Sequence, residues 1–236
     1  LSRLFKFKQF SLDDSGAAMK LGTDAVLLGC LAEHPAPVTV LDIGTGSGVI
    51  ALQLAQRFEG AAVTALEIDA SAAAQAQSNF EASSWSQRLQ LVQTDVTQWE
   101  PAQLFDMICC NPPFYSNSYP IADAQRRVAR SQEQLNFEQL AHSVARLLQK
   151  NGVFWVILPA EGMPDLQQCM AKAGLYLQTS ISIYPKIDKS CNRQIAAYRK
   201  TASASVTERS LCIRLADNSY TEAYKELTSA FYLQLK

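Results

Sequence analysis

The stretch that most restricts this chain runs from Val38 to Asp69. Val38-Thr39-Val40-Leu41 reads as a short buried strand, and it feeds directly into Asp42-Ile43-Gly44-Thr45-Gly46-Ser47-Gly48. Ile50, Leu54 and Phe58 then recur at helical spacing, and Val63-Thr64-Ala65-Leu66 forms a second strand ending at Glu67-Ile68-Asp69. A strand, a glycine turn, a helix and another strand in close succession predict a parallel, Rossmann-like α/β sheet with helices on both faces. Glycines at the turn let the backbone come close to a ligand at the sheet's carboxyl edge.

The same rhythm continues. An alanine-rich helix is predicted from Ser71, a strand over Leu89–Val92 ending near Asp95, and a strand over Phe105–Cys110 that runs into Asn111-Pro112-Pro113-Phe114-Tyr115. Beyond a polar, basic segment from Ala122 to Glu133, Asn136 and Gln139 form a capping-box pair ahead of a helix with Leu140, Val144, Leu147 and Leu148 on its inner face. Gly152 reads as the C-cap residue, followed by a buried strand over Val153–Leu158 and a helix over about Asp165–Ala173. Strands are expected over Leu175–Tyr184, Gln194–Tyr198 and Ser210–Leu215, then a terminal helix from Thr221 through Phe231. At the other end, Phe5 to Phe10 alternates rings and polar residues as a half-buried edge strand does, and Thr23 is the expected N-cap of an apolar helix. The chain thus divides into a cap segment (1–35), a catalytic core (36–200) and a C-terminal strand and helix (201–236), all within one domain.

Composition narrows the function classes. With 236 residues and 48% hydrophobic content the chain can bury a full core. Its net charge of −1 means that nucleic-acid binding must come from local patches. The six cysteines carry no C-x-x-C pair or metal-ligand spacing, and no signal peptide or membrane-spanning run is evident, so a cytoplasmic protein with reduced thiols and no metal is expected.

The chemistry lies at the predicted strand ends. Gly44, Gly46 and Gly48 form G-x-G-x-G rather than the dinucleotide pattern, and Glu67 follows Gly48 by nineteen residues. An acid there accepts hydrogen bonds from ribose hydroxyls and disfavours a 2′-phosphate, so a non-phosphorylated adenosine cofactor fits better than NADP. Asp95 is read either as an acceptor for an adenine amine or as a helix N-cap. Asn111 and the Pro112 carbonyl can face one donor, because two prolines fix the backbone and remove two N–H groups. A planar amine suits that notch, with Phe114 and Tyr115 as stacking surfaces. His34 and His142 lack motif context, so no general-base histidine is expected. Arg126, Arg127 and Arg130 form one basic cluster, and Lys186, Lys189 and Arg193 a second, each either a solvated surface or a phosphate contact together with Lys6, Lys8 and Lys20.

Asp42, Glu67, Asp95 and Asn111 at successive strand ends, with the glycine loop and Asn-Pro-Pro-Phe, resemble the class I S-adenosylmethionine-dependent methyltransferases, in particular those that methylate planar nitrogens. The resemblance implies a seven-stranded, mostly parallel sheet with one antiparallel strand late in the chain. It implies that Asp42, Gly44, Thr45, Gly46, Gly48, Glu67, Ile68, Asp95 and Asn111 bind S-adenosyl-L-methionine. Asn111, Pro112, Pro113 and Phe114 would act on the target amine, and Lys20, Tyr115, Arg126, Arg127, Arg130 and Lys189 would contact the substrate. The stretches Phe5–Phe10, Ala18–Gly29 and Tyr220–Leu233 are similar to the bacterial tRNA1(Val) adenine-37 N6-methyltransferase family, with Ala25 where that pattern has glycine. This implies tRNA as partner and the adenosine beside the anticodon as target. The same notch also suits a protein-glutamine N5-methyltransferase, although the sizeable N-terminal helical recognition domain of such an enzyme is not expected from these residues. It suits another nucleic-acid N-methyltransferase as well, and from a different class the chain could be a silent cofactor-binding RNA chaperone.

Overall fold

A computed structural model describes residues 4–16, 20–112 and 135–233. The first elements are β1 (Leu4–Lys6), β2 (Ser11–Asp13), α1 (Thr23–Leu31), β3 (Thr39–Ile43), α2 (Val49–Arg57), β4 (Ala62–Glu67), α3 (Ala70–Glu81), β5 (Leu89–Gln93) and β6 (Phe105–Cys110). The second half contributes α4 (Phe137–Leu147), β7 (Leu148–Pro159), α5 (Met163–Lys172), β8 (Tyr176–Tyr184), β9 (Arg193–Arg199), β10 (Thr207–Cys212) and α6 (Glu222–Thr228). β1 and β2 form a small hairpin, and the main sheet runs β10-β8-β9-β7-β6-β3-β4-β5. From β7 to β5 all neighbours are parallel, whereas β9 is antiparallel to both β7 and β8.

The main sheet therefore has eight strands where seven were expected. The additional strand, β10, pairs in parallel with β8 from Thr207 opposite Thr179 to Cys212 opposite Tyr184. Local sequence predicts a strand here but not its partner. The outer edge of β8 would otherwise present a row of unpaired backbone groups, which β10 covers.

Two cores flank the sheet because its central strands are apolar on both faces. Val40, Met107, Cys109, Val153, Trp155 and Ile157 point to the side packed by α1, α2 and the N-terminal hairpin. Leu41, Ile43, Ile108, Cys110, Phe154, Val156 and Leu158 point to the side packed by α4 and α5. Among the described residues no helix is long and apolar enough to cross a membrane, and no group of three or more His, Cys, Asp or Glu is placed to hold a metal ion.

Three local expectations are corrected. Gly22, extended at φ −118°, is the N-cap of α1 without a side-chain bond, and Thr23 is the first helical residue. Gly152 lies inside β7 rather than at a helix end, and glycine is needed there because a Cβ would meet the Phe105 carbonyl at 2.9 Å and Leu148 Cδ1 at 2.7 Å. The run Phe5–Phe10 breaks after Lys6, where Phe7 stacks on Phe10 at 4.4 Å and bridges to Tyr232. This aromatic contact joins the two ends of the described chain, with Lys8 N donating to the Phe231 carbonyl at 2.7 Å. The Asn136–Gln139 capping box is present as expected.

Candidate active site

The strand order reverses between β3, which leads on to β4, and its other neighbour β6. In open α/β sheets a crevice forms outside the carboxyl ends at such a switch point. Here it is a cavity of about 600 Å³ walled by the glycine loop, the ends of β4, β5 and β6, the start of α4, and the Lys20–Ala25 stretch that leads into α1.

The glycine loop is held by its neighbours. Gly44 N and Thr45 N both donate to the Leu66 carbonyl at 2.9 Å, and Gly46 N donates to Glu67 Oε2 at 2.8 Å. Gly46 sits at φ +57°, where a side chain is strained, and a Cβ built on it meets nothing within 4 Å, so the backbone presents an open face to the cavity. Gly48 has a different reason to be glycine: at φ +88° it caps α2, and a Cβ would lie 2.4 Å from the Phe80 ring.

Glu67 lines the cavity and also holds the loop. Its Oε1 accepts from Ile68 N at 2.9 Å and Asp69 N at 3.0 Å, in addition to the Gly46 bond on Oε2. With both lone-pair sites of Oε1 taken, one remains on Oε2 for a ligand hydroxyl. Ile68 is 61% exposed beside it, an apolar face on the cavity wall. Asp95 also lines the cavity, and its Oδ1 accepts from Thr97 N at 2.8 Å. No helix follows it, so the N-cap alternative gives way to a side-chain turn that aims the carboxylate.

Asp42 stands beneath the loop and off the cavity wall. It is fully buried, its Oδ2 accepts from the Thr45 hydroxyl at 2.6 Å, and its Oδ1 has no hydrogen-bond partner among the described residues. Burial pushes its carboxyl up to about 7, against the downward pull of the Thr45 hydroxyl. Asp42 and Thr45 thus support the loop from below, although Thr45 also reaches the cavity.

At the end of β6, Asn111 and Pro112 line the cavity directly beside Gly44 and Ile43. Asn111 Oδ1 is buried and has no hydrogen-bond partner among the described residues. Leaving a buried acceptor unmade costs about 1–3 kcal/mol, so an oxygen like this one is suited to a donor brought by a ligand. Cys109 and Cys110 precede it, and burial drives both thiols well above the ordinary range, which makes them inert packing.

Lys20 lines the cavity and donates from Nζ to the carbonyls of Asp14 at 2.7 Å and Ser15 at 3.1 Å. Lys189 is exposed on the β8–β9 loop at the same edge of the sheet, outside the cavity wall. Arg193 pairs with Asp24 of α1 at 2.7 Å, which joins β9 to the cavity wall. Pro113, Phe114, Tyr115, Arg126, Arg127 and Arg130 lie outside the described residues. Leu21, Thr23, Asp24 and Gln139 were missed as cavity-lining residues. The small, polar Gly22-Thr23-Asp24 ahead of an apolar run marks a helix start, but nothing local says what that start faces.

The residues present fit an adenosine-bearing sulfonium cofactor: an open glycine backbone, two acids, an exposed isoleucine and, next to them, an amide oxygen without a partner among the described residues. Switch-point cavity, glycine loop and strand-end acids define a methyltransferase of class I architecture. A family profile described as Methyltransferase small domain matches residues 15–164. The chain is 39% identical over 231 residues to the tRNA1(Val) (adenine(37)-N6)-methyltransferase of Phocaeicola vulgatus, covering 98% of each chain. It is 38% identical to the protein of that name from Citrobacter koseri, covering 97% of this chain and 94% of the relative. The chain belongs to this tRNA1(Val) (adenine(37)-N6)-methyltransferase family. Among solved structures, a predicted O-methyltransferase from Agrobacterium tumefaciens has a TM-score of 0.67 at 20% identity, covering 88% of this chain and 96% of that one. A glycopeptide N-methyltransferase solved with S-adenosyl-L-methionine has a TM-score of 0.55 at 16% identity, covering 78% and 96%, so the fold is shared well beyond sequence likeness.

Proposed function

We propose that this protein transfers a methyl group from S-adenosyl-L-methionine to the exocyclic N6 of an adenosine in tRNA, the adenosine beside the anticodon of tRNA1(Val). The observation that carries the reading is the buried Asn111 Oδ1, without a hydrogen-bond partner among the described residues, on the wall of the glycine-loop cavity. The names of the relatives at 34–39% identity supply the RNA and the position.

The cofactor, when bound, supplies an electrophilic methyl on a sulfonium. Gly44 and Gly46 would pass its amino-acid end, Glu67 its ribose, Ile68 one face of its adenine, and Asp95 the adenine amine. An exocyclic amine is a poor nucleophile because its lone pair is delocalised into the ring. Asn111 Oδ1 and the Pro112 carbonyl, as acceptors for its two hydrogens, favour the tetrahedral nitrogen that can attack. Catalysis is then alignment and electrostatic stabilisation, with the proton lost after transfer. Phe114 and Tyr115 are the stacking partners assigned to the extruded base. Lys20, Lys189, Arg126, Arg127 and Arg130 are the assigned phosphate and substrate contacts. The chain acts as one domain, with the cap segment contributing to the cofactor wall.

The test is to methylate total tRNA with labelled cofactor and digest to nucleosides. N6-methyladenosine in a single valine isoacceptor is expected. Label that enters release-factor glutamine instead, or no methyl transfer to any RNA, overturns the reading.

A further inference from the structure

One face of α3 carries a polar stripe that the activity does not account for. Ser71, Gln75 and Asn79 are spaced by four residues, so they stack along one side of the helix. All three hydrogen-bond to the cap segment. The Ser71 hydroxyl donates to the Gly16 carbonyl at 3.1 Å, and Gln75 Oε1 accepts from Gly16 N and from the Ser15 hydroxyl, both at 3.3 Å. Asn79 is almost wholly buried and grips Asp13 as a strand partner would: its Oδ1 accepts from Asp13 N at 3.1 Å, and its Nδ2 donates to the Asp13 carbonyl at 2.8 Å. The same Nδ2 donates to the Ser47 carbonyl of the glycine loop at 2.8 Å.

The ties go on from there to the cavity wall. Asp14 Oδ2 accepts from Leu21 N at 2.8 Å, and Lys20 Nζ bonds the carbonyls of Asp14 and Ser15. Leu21 and Lys20 line the cavity, while Ser71, Gln75 and Asn79 do not. A continuous hydrogen-bonded path thus leads from the glycine loop through Asn79 to Asp13, and on to the opposite wall of the same cavity. Its inner end is buried and well paired, and its outer end is exposed and long.

We propose that the Ser71–Gln75–Asn79 stripe is a polar zipper that seats the cap segment against the cofactor cavity, with Asn79 the positioning residue that fixes this wall relative to the glycine loop. The proposal deepens the reading of that cavity as a methyl-donor site and rests on it. Asn79 touches neither cofactor nor substrate. It acts through Ser47 and Asp13, so its loss changes how tightly and how long the cofactor is held rather than the methyl-transfer step.

The experiment compares wild type, the double variant Ser71→Ala/Gln75→Ala, and Asn79→Asp, which keeps shape and one acceptor but loses both donated bonds. Cofactor affinity is measured by calorimetry and its dissociation rate by stopped flow, with thermal melts as a fold control. The double variant is expected to melt as wild type does while the cofactor leaves several-fold faster. Asn79→Asp is expected to weaken the cofactor about tenfold or more, raising its KM while kcat at saturating cofactor stays within about twofold. A folded double variant with wild-type affinity and dissociation rate overturns the zipper, as does a folded Asn79→Asp protein with wild-type affinity. If wild type itself binds no cofactor, the reading of the cavity fails instead, which keeps the two outcomes apart.

Discussion

The glycine loop and the end of β6 meet in one cavity but treat their polar groups in opposite ways. Around the loop the groups that face the cavity are engaged internally, with the buried Asp42 Oδ1 beneath it the exception: Glu67 accepts three backbone amides, Thr45 donates to Asp42, and Asn79 holds the Ser47 carbonyl. At the end of β6, the buried Asn111 oxygen has no partner among the described residues. The cradle is therefore a rigid mould that presents backbone and shape, while the notch withholds a hydrogen bond until something arrives to make it. A mould can bind without chemistry. An unsatisfied acceptor beside it is what a substrate amine can use, and it is the costlier feature to keep.

Four substitutions break or sharpen that contrast. The largest effect is expected from Asn111→Ala, which should lower single-turnover methyl transfer about 100- to 1,000-fold. Calorimetry should find cofactor affinity nearly intact, and wild-type turnover would remove Asn111 from the mechanism.

Next is Asp42, whose burial raises its carboxyl to about 7 from the ordinary value of 3.8. A carboxyl raised on folding favours the folded state below the unfolded value, and the advantage is lost as pH climbs to the folded value, because the unfolded chain releases its proton first. Asp42→Asn removes that dependence. Its stability relative to wild type should therefore rise between about pH 4 and pH 7, by on the order of 3 kcal/mol at about 1.4 kcal/mol per pKa unit. Urea denaturation across that range checks it, and a flat difference would mean that folding does not raise the Asp42 carboxyl.

Gly46→Ala should cost about 1–2 kcal/mol through its left-handed backbone, read as a lower melting temperature and weaker cofactor binding. The smallest effect belongs to the partly exposed Asp24–Arg193 pair: Asp24→Asn should cost under about 1 kcal/mol in a denaturant titration at moderate salt. A larger loss would make that pair a determinant of the cavity wall rather than an accessory to it.

Much of this was legible in the residue order. The parallel core follows from strands that are apolar on both faces and broken by glycine, and the four strand ends at Asp42, Glu67, Asp95 and Asn111 follow from that alternation. What failed did so for particular reasons. Gly152 looked like a helix stop because glycine often is one, but its lack of a side chain answers to the Phe105 carbonyl on the neighbouring strand. Phe5–Phe10 kept a period of two, yet the stacking of Phe7 on Phe10 and its bridge to Tyr232, more than two hundred residues away, overrode it. Asn79 sat unremarked in an alanine-rich helix, since a polar residue there gives no local sign of which backbone it will hold.

The division is physical. Periodicity, glycine and proline act over a few neighbouring residues, so the chain by itself determined its class of fold, the succession of strands and helices along it, and which residue types stand at the strand ends. Pairing partners and unpaired atoms depend on which distant segments come together. Only the tertiary structure could bring β10 to the edge of β8, bury Asp42 under the loop rather than on the cavity wall, and tie the cap to the loop through Asn79. It also left the Asn111 oxygen as the one buried, unpaired side-chain acceptor, among the described residues, that lines the cavity.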